Sequence, residues 1–258
     1  MKIFQNCNKL LIFFLIGLFF LNLIQAYNTE LLSDEAYYWV YSNFLDWGYF
    51  DHPPMVAIWV TISKFFFSSG ELSVRFFSVI TLSVTFYFLW LLIDHPKKKE
   101  NTWLFILLIA STSLFNAYGF VTVPDTPLLF FMGIFLLGYQ KYLKDKAAFS
   151  YLLLTLGITG MMYSKYQAVL IVFFVLLSNF KVLKDYKIWL MVLLIILLYT
   201  PHLYWQYNND YPSFRYHLIE RTEHKSYEIK STIMLFVNML AIVGFYFGGG
   251  LVESARRK

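Results

Sequence analysis

The chain has 258 residues, of which 59% are hydrophobic and 14% charged, with 28 Phe and 20 Tyr. That is more apolar surface than a water-soluble core of this size can hide, so the surrounding solvent is read as lipid. The net charge of +5 comes without a clustered, aromatic-interleaved basic surface, which argues against nucleic-acid binding, and a lone Cys7 excludes an intramolecular disulfide.

A helix needs roughly 20 mostly apolar residues to cross the hydrocarbon core. Stretches near that length recur at 10–27, 72–93, 102–120, 126–143, 148–163, 166–180, 187–204 and 232–251, which predicts an all-α membrane protein of about eight transmembrane helices in a single domain over 1–258. The first stretch follows Lys2 and Lys9 and ends at Ala26, the outline of a secretory signal, but no small-x-small site follows and we expect it to be retained. The fifth and sixth are separated only by Ser164-Lys165 and read as two short helices or one bent unit. The 55–67 stretch is too short to span comfortably and is expected to lie along or dip into the interface. All seven prolines fall in connections or near predicted helix ends. Continuous apolar runs, without strand-like alternation, disfavour a β-barrel.

Charge orients the chain. With a cytoplasmic amino terminus, the basic side (94–101, 144–147, 181–186, the helix ends beside them and both termini) holds 14 of the 21 Lys and Arg residues. The opposite side holds 11 of the 16 acids, in 28–71, 121–126 and 205–231 and at their edges. Short basic loops resist translocation, so the long acidic connections are expected on the outer face of a cytoplasmic membrane. Those connections also carry most of the polar and aromatic residues outside the helices, so the chemistry is expected there.

In chain order, the first outer connection opens Ser33-Asp34-Glu35-Ala36-Tyr37-Tyr38, where Ser33 suits a helix cap and the acids meet the positive end of the dipole. Asp51-His52-Pro53-Pro54 follows, a segment that Pro53 biases toward extended backbone. Arg75 lies at the outer end of the second span. Pro124-Asp125-Thr126-Pro127 opens the fourth span, with Asp125 a plausible cap. Ser164-Lys165-Tyr166 places a cation at the outer boundary, where a lysine either snorkels or meets a phosphate. The run from Pro201 to Phe214 interleaves amides and aromatic rings, which suit sugar hydroxyls and ring faces as well as an ordinary interfacial loop.

Taken in order, these segments resemble the polyprenyl-phosphate-sugar-dependent glycosyltransferases of the GT-C class, specifically bacterial members similar to protein O-mannosyltransferases and aminoarabinose transferases. The resemblance implies a GT-C-like helical fold with interfacial helices in the first outer connection. It implies a polyprenyl-phosphate sugar as donor, a lipid, glycan or protein as acceptor, and action on the outer face of the cytoplasmic membrane.

By the same resemblance, Asp34 would be the catalytic base or substrate orienter, with Glu35 second, and Asp125 a second catalytic acid. Lys165 would meet the donor phosphate, Asp51 and His52 would shape the donor site, and Arg75 would add positive charge. The class also admits a divalent cation, for which Asp51 with His217 or His224 would offer oxygen and nitrogen ligands. Family members are usually longer, with further spans and often a soluble carboxy-terminal domain. The rival reading is therefore a partial chain that binds donor without turnover. A transporter is disfavoured because the spans are almost free of ionisable residues.

Overall fold

The computed structural model describes residues 8–112, 118–220 and 229–243. Their regular structure is all helical: α1 (Lys9–Asn28), α2 (Ser33–Asn43), α3 (Met55–Phe66), α4 (Leu72–Leu92), α5 (Thr102–Ser111), α6 (Asp125–Asp145), α7 (Ala148–Ser164), α8 (Ala168–Ser178), a 3-10 turn (Phe180–Lys184), α9 (Tyr186–Asn208), the short α10 (Pro212–Arg215) and α11 (Ile229–Val243). Among them α1, α4 and α9 are long and apolar enough to cross a membrane, and α3, α5, α7, α8 and part of α11 are shorter apolar helices.

Lipid explains why the packing stripes are hard to read in the sequence: a helix can leave leucine exposed at no cost, so both of its faces stay apolar. On α9, Ile188, Met191, Ile195, Tyr199, His202 and Gln206 recur every three or four residues and are buried, while Leu190, Leu193, Leu194 and Leu197 between them are exposed. Buried residues of α6, α7 and α9, including Phe135, Ile158 and Ile195, form one core. Leu11, Phe86, Trp90 and Phe105 join α1, α4 and α5 in a second.

The closest helix pair is α6 with α7. A Cβ added at Gly157 would stand 2.6 Å from the backbone of Phe135, and one at Gly160 would stand 2.2 Å from the Phe131 ring. Small residues let two backbones approach in lipid, where packing rather than water exclusion holds helices together. That contact fixes the start of α6 beside the end of α7.

The structure corrects some of these expectations and decides between the alternatives of others. Within the 102–120 stretch α5 ends at Ser111, where the Ser111 and Thr112 hydroxyls both donate to the Leu108 carbonyl at 3.1 and 2.7 Å and compete with the helical ladder; 113–117 lie outside the described residues. The fifth and sixth stretches are two helices, α7 and α8, parted by an extended Lys165 (φ −160°, ψ 138°). Pro201 lies inside α9, which runs on past the expected end at 204, so the segment 205–208, expected as connection, is helix. The Tyr163 hydroxyl donates to the Leu198 carbonyl at 2.8 Å in the turn the proline ring crowds, supplying a donor from a neighbouring helix. The 55–67 stretch is the amphipathic α3, whose Val56, Trp59, Val60 and Ser63 are buried, with the Trp59 indole donating to Thr81 of α4 at 3.1 Å.

The two ends of the bundle differ in charge. At one, Lys144 meets Asp94 at 3.0 Å, Lys146 meets Asp185 at 3.5 Å, and Asn8 at the start of α1 donates to the Lys99 carbonyl at 2.9 Å, so the basic connections lie together. The acidic connections gather at the other.

Candidate active site

The acidic end holds a cavity of about 710 Å³. Five separate pieces of chain contribute to its lining: Asp34 and Tyr38 of α2, Asp51 and His52, Asp125 at the start of α6, Lys165 between α7 and α8, and His217 after α10. Five of the seven residues singled out in the sequence therefore converge on one space. Glu35 and Arg75 do not join it.

Glu35 and Arg75 form a closed, buried pair. Arg75 Nε donates to Glu35 Oε1 at 2.8 Å and Nη2 to Oε2 at 2.5 Å, with both side chains almost wholly out of solvent. Glu35 also accepts from the backbone amides of Leu32 at 3.0 Å and Thr122 at 2.9 Å. The remaining Arg75 donors reach the Ala26, Thr29 and Glu30 carbonyls and the Thr29 hydroxyl at 2.7 to 3.2 Å. This hub ties the end of α1, the start of α2, α4 and the segment before α6 together. It also corrects the cap: Ser33 is the first residue of α2, and Glu35 reaches back to the Leu32 amide instead.

The cavity carboxylates differ in what holds them. Asp125 does not cap α6; both of its oxygens accept from Lys165 Nζ, at 2.8 and 2.7 Å. An ammonium has three N–H groups, so one remains for a ligand. Asp51 accepts from the Tyr37 and Tyr41 hydroxyls at 3.1 and 3.3 Å, and those two hydroxyls also touch each other. Burial, above all, pushes both phenols up, so they stay protonated and donate. Asp34 is exposed, lines the cavity and accepts no hydrogen bond from any described residue.

His52 stands 3.6 Å from Asp51 through Nε2, and its Nδ1 is buried with no partner among the described residues. Burial pushes the imidazole below its ordinary value; Asp51 opposes this, and Lys165 and His217 reinforce it. His217 Nε2 lies 2.8 Å from the Asp51 carbonyl oxygen, so that nitrogen is turned to the backbone. No group of three or more His, Cys, Asp or Glu among the described residues is placed to hold a metal ion, and His224 lies outside them.

Sequence reasoning missed the wall behind the cavity. His202 Nδ1 lies 2.6 Å from the Trp47 carbonyl oxygen and its Nε2 lies 3.1 Å from the Tyr166 hydroxyl, which accepts from Gln206 at 3.0 Å. Gln206 also donates to Ser213 Oγ, whose hydroxyl donates to the Tyr49 carbonyl, both at 2.7 Å. The Trp205 indole donates to Asp46 at 2.7 Å and covers Gly48, where a Cβ would stand 2.4 Å from the ring. Through these bonds α9 and the residues after it clamp the first outer connection. The signal available in the sequence was the four-residue spacing of His202 and Gln206, which puts both on one helix face.

Residues 51–205, more than half of the chain, match the family model for dolichyl-phosphate-mannose-protein mannosyltransferase. The chain belongs to this family. The match includes Asp51, His52, Arg75, Asp125 and Lys165 and leaves Asp34 and Glu35 before its start. Among solved structures the chain resembles the crystal structure of ArnT from Cupriavidus metallidurans in the apo state, with a TM-score of 0.64 and 15% identity over 85% of this chain and 44% of that one. The likeness is one of fold, and the chain spans less than half the length of that protein. No curated protein sequence matches. The GT-C resemblance and the all-α membrane architecture are borne out: this is a membrane protein of a glycosyltransferase family.

Proposed function

We propose that the chain moves a monosaccharide from a polyprenyl-phosphate donor to a lipid, glycan or protein acceptor, with the reaction on the outer face of the cytoplasmic membrane. The observation that carries this reading is the convergence of Asp34, Asp51, His52, Asp125 and Lys165 on one cavity at the acidic end of the helices. A carboxylate free of donors and a cation with one N–H to spare are what a displacement at a sugar carbon requires. The acceptor hydroxyl loses its proton to Asp34 as its oxygen bonds to the sugar carbon. The bond from that carbon to the phosphate oxygen breaks, and the electron pair leaves on the polyprenyl phosphate, whose charge Lys165 stabilises. One displacement inverts the sugar carbon.

Asp125 then serves to position Lys165, and the two tyrosines to hold Asp51. Glu35 and Arg75 stand outside the chemistry in this reading, because every strong donor and acceptor they own is already engaged. A divalent cation forms no step of it.

Binding of a polyprenyl-phosphate sugar by the purified chain in lipid tests the donor assignment. Lys165→Ala should weaken it by about tenfold or more, as expected for loss of a charge-assisted contact. Lys144→Ala, at the basic end, should leave it unchanged. Equal losses in the two variants would mean general attraction of lipid phosphate and would remove Lys165 from the donor site.

A further inference from the structure

The basic end carries a second cavity, of about 340 Å³, unconnected with the proposed chemistry. It is lined by Lys146 and Tyr151 on either side of the turn into α7 and by Lys181, Lys184, Asp185, Tyr186 and Lys187 before and at the start of α9. Four lysines against one aspartate leave it a formal charge of +3. We propose that this cavity binds the phosphodiester headgroup of an anionic membrane lipid.

Three observations separate it from an ordinary basic anchor. On the neighbouring end of α6 the lysines are neutralised: Lys141 pairs with Asp145, and Lys144 with Asp94. In the cavity, Lys181, Lys184 and Lys187 have no carboxylate within pairing distance among the described residues, although three of them converge on one concave space.

The acid in the cavity is already engaged. Asp185 accepts from the Tyr142 and Tyr151 hydroxyls at 3.1 and 2.7 Å and from the Lys187 amide at 3.1 Å, and Lys146 approaches it at 3.5 Å. It braces the floor and leaves the lysine heads to an outside anion.

Third, Lys146 sits in left-handed backbone (φ 43°, ψ 32°) at the end of α6, where glycine is the usual occupant. A lysine occupies a position whose backbone disfavours it, and its side chain lines this cavity.

The surroundings favour a lipid over a soluble anion. Phe180, Tyr186 and Trp189 are 59%, 67% and 56% exposed on the same segments, and the Trp189 indole donates to the Leu183 carbonyl at 3.0 Å. Exposed aromatic rings beside a basic recess match the headgroup depth of a bilayer, with space for acyl chains along α9.

The test is native mass spectrometry of the full chain released from bilayers of phosphatidylcholine mixed with phosphatidylglycerol, counting retained lipids. Wild type should keep phosphatidylglycerol over phosphatidylcholine. Lys181→Gln/Lys184→Gln should lower that retention by about tenfold or more, at roughly one favourable contact per lysine. Lys146→Gly should lower it too while relieving the backbone, which guards against a folding defect. Lys9→Gln/Lys97→Gln removes the same charge at the same end and should retain the lipid. Equal loss in that control, or no preference for phosphatidylglycerol in wild type, would overturn the proposal. So would competition by inorganic phosphate as effective as by phosphatidylglycerol, which would assign the cavity to a free anion.

Discussion

Replacing Glu35 by its amide should damage the fold and leave the chemistry of the surviving molecules nearly intact. The carboxylate accepts from two Arg75 nitrogens at 2.8 and 2.5 Å and from the Leu32 and Thr122 amides at 3.0 and 2.9 Å. A glutamine offers one acceptor oxygen and turns an NH2 toward donors on the other side. At least one charge-assisted bond and one amide bond are lost, and Arg75 keeps its charge in a site that is almost solvent-free. Hydrogen bonds to charged groups contribute about 1.5–3 kcal/mol each, and breaking a buried pair from one side costs about 3–5 kcal/mol. Glu35→Gln should therefore lose about 3–5 kcal/mol, a large part of a typical stability of about 5–15 kcal/mol. Unfolding of the purified protein in mixed micelles, by heat and by denaturant, measures it. A cycle with Arg75→Met sharpens the test: the double variant should be less damaged than the sum of the singles by more than about 1 kcal/mol. Additive losses, or a Glu35→Gln within about 0.5 kcal/mol of wild type, would refute the hub.

Two further outcomes follow from the packing and the charge asymmetry. Gly157→Ala drives a methyl into the Phe135 backbone and should cost about 1–3 kcal/mol by thermal unfolding, whereas Gly17→Ala, with nothing within 4 Å, should be neutral or stabilising; equal effects would count against close α6–α7 contact. In a Cys7→Ala background, a cysteine at Lys97 should resist an impermeant thiol reagent added outside, and one at the exposed Tyr207 should react; the reverse pattern would invert the orientation.

The segments of the cavity were legible because each departs from its surroundings: charged residues and prolines interrupt apolar runs at Asp34, Asp51-His52, Pro124-Asp125 and Lys165. What the sequence did not settle was which of two adjacent acids faces which way. Side chains advance about 100° per residue along a helix, so Asp34 looks into the cavity while Glu35 turns inward to an arginine 40 residues away. Only the packing of α2 on α3 and the reach of Arg75 from α4 decide that. Arg75 illustrates the same limit: a positive charge near the boundary looks like a phosphate ligand in the sequence, and its buried pairing with Glu35 appears only in the fold. Pro201 misled in a different way. It is a sound stop signal in water, but a membrane helix can continue through proline when neighbours brace the turn, as Tyr163 does at Leu198, and α9 thereby carries His202 and Gln206 to the wall behind the site.

The central claim is that Asp34 activates an acceptor in a glycosyl transfer, and its most direct test is transfer from labelled polyprenyl-phosphate sugars by the purified chain in lipid. Wild type, Asp34→Asn and Glu30→Gln should be compared over a panel of lipid, glycan and protein acceptors. The amide keeps the shape of Asp34 but accepts no proton, so Asp34→Asn should lower turnover by about 10²–10⁴-fold while protein levels, thermal stability and donor binding stay near wild type. Glu30→Gln, an acid of the same connection outside the cavity lining, should transfer normally. Turnover by Asp34→Asn within a few-fold of wild type would contradict the account.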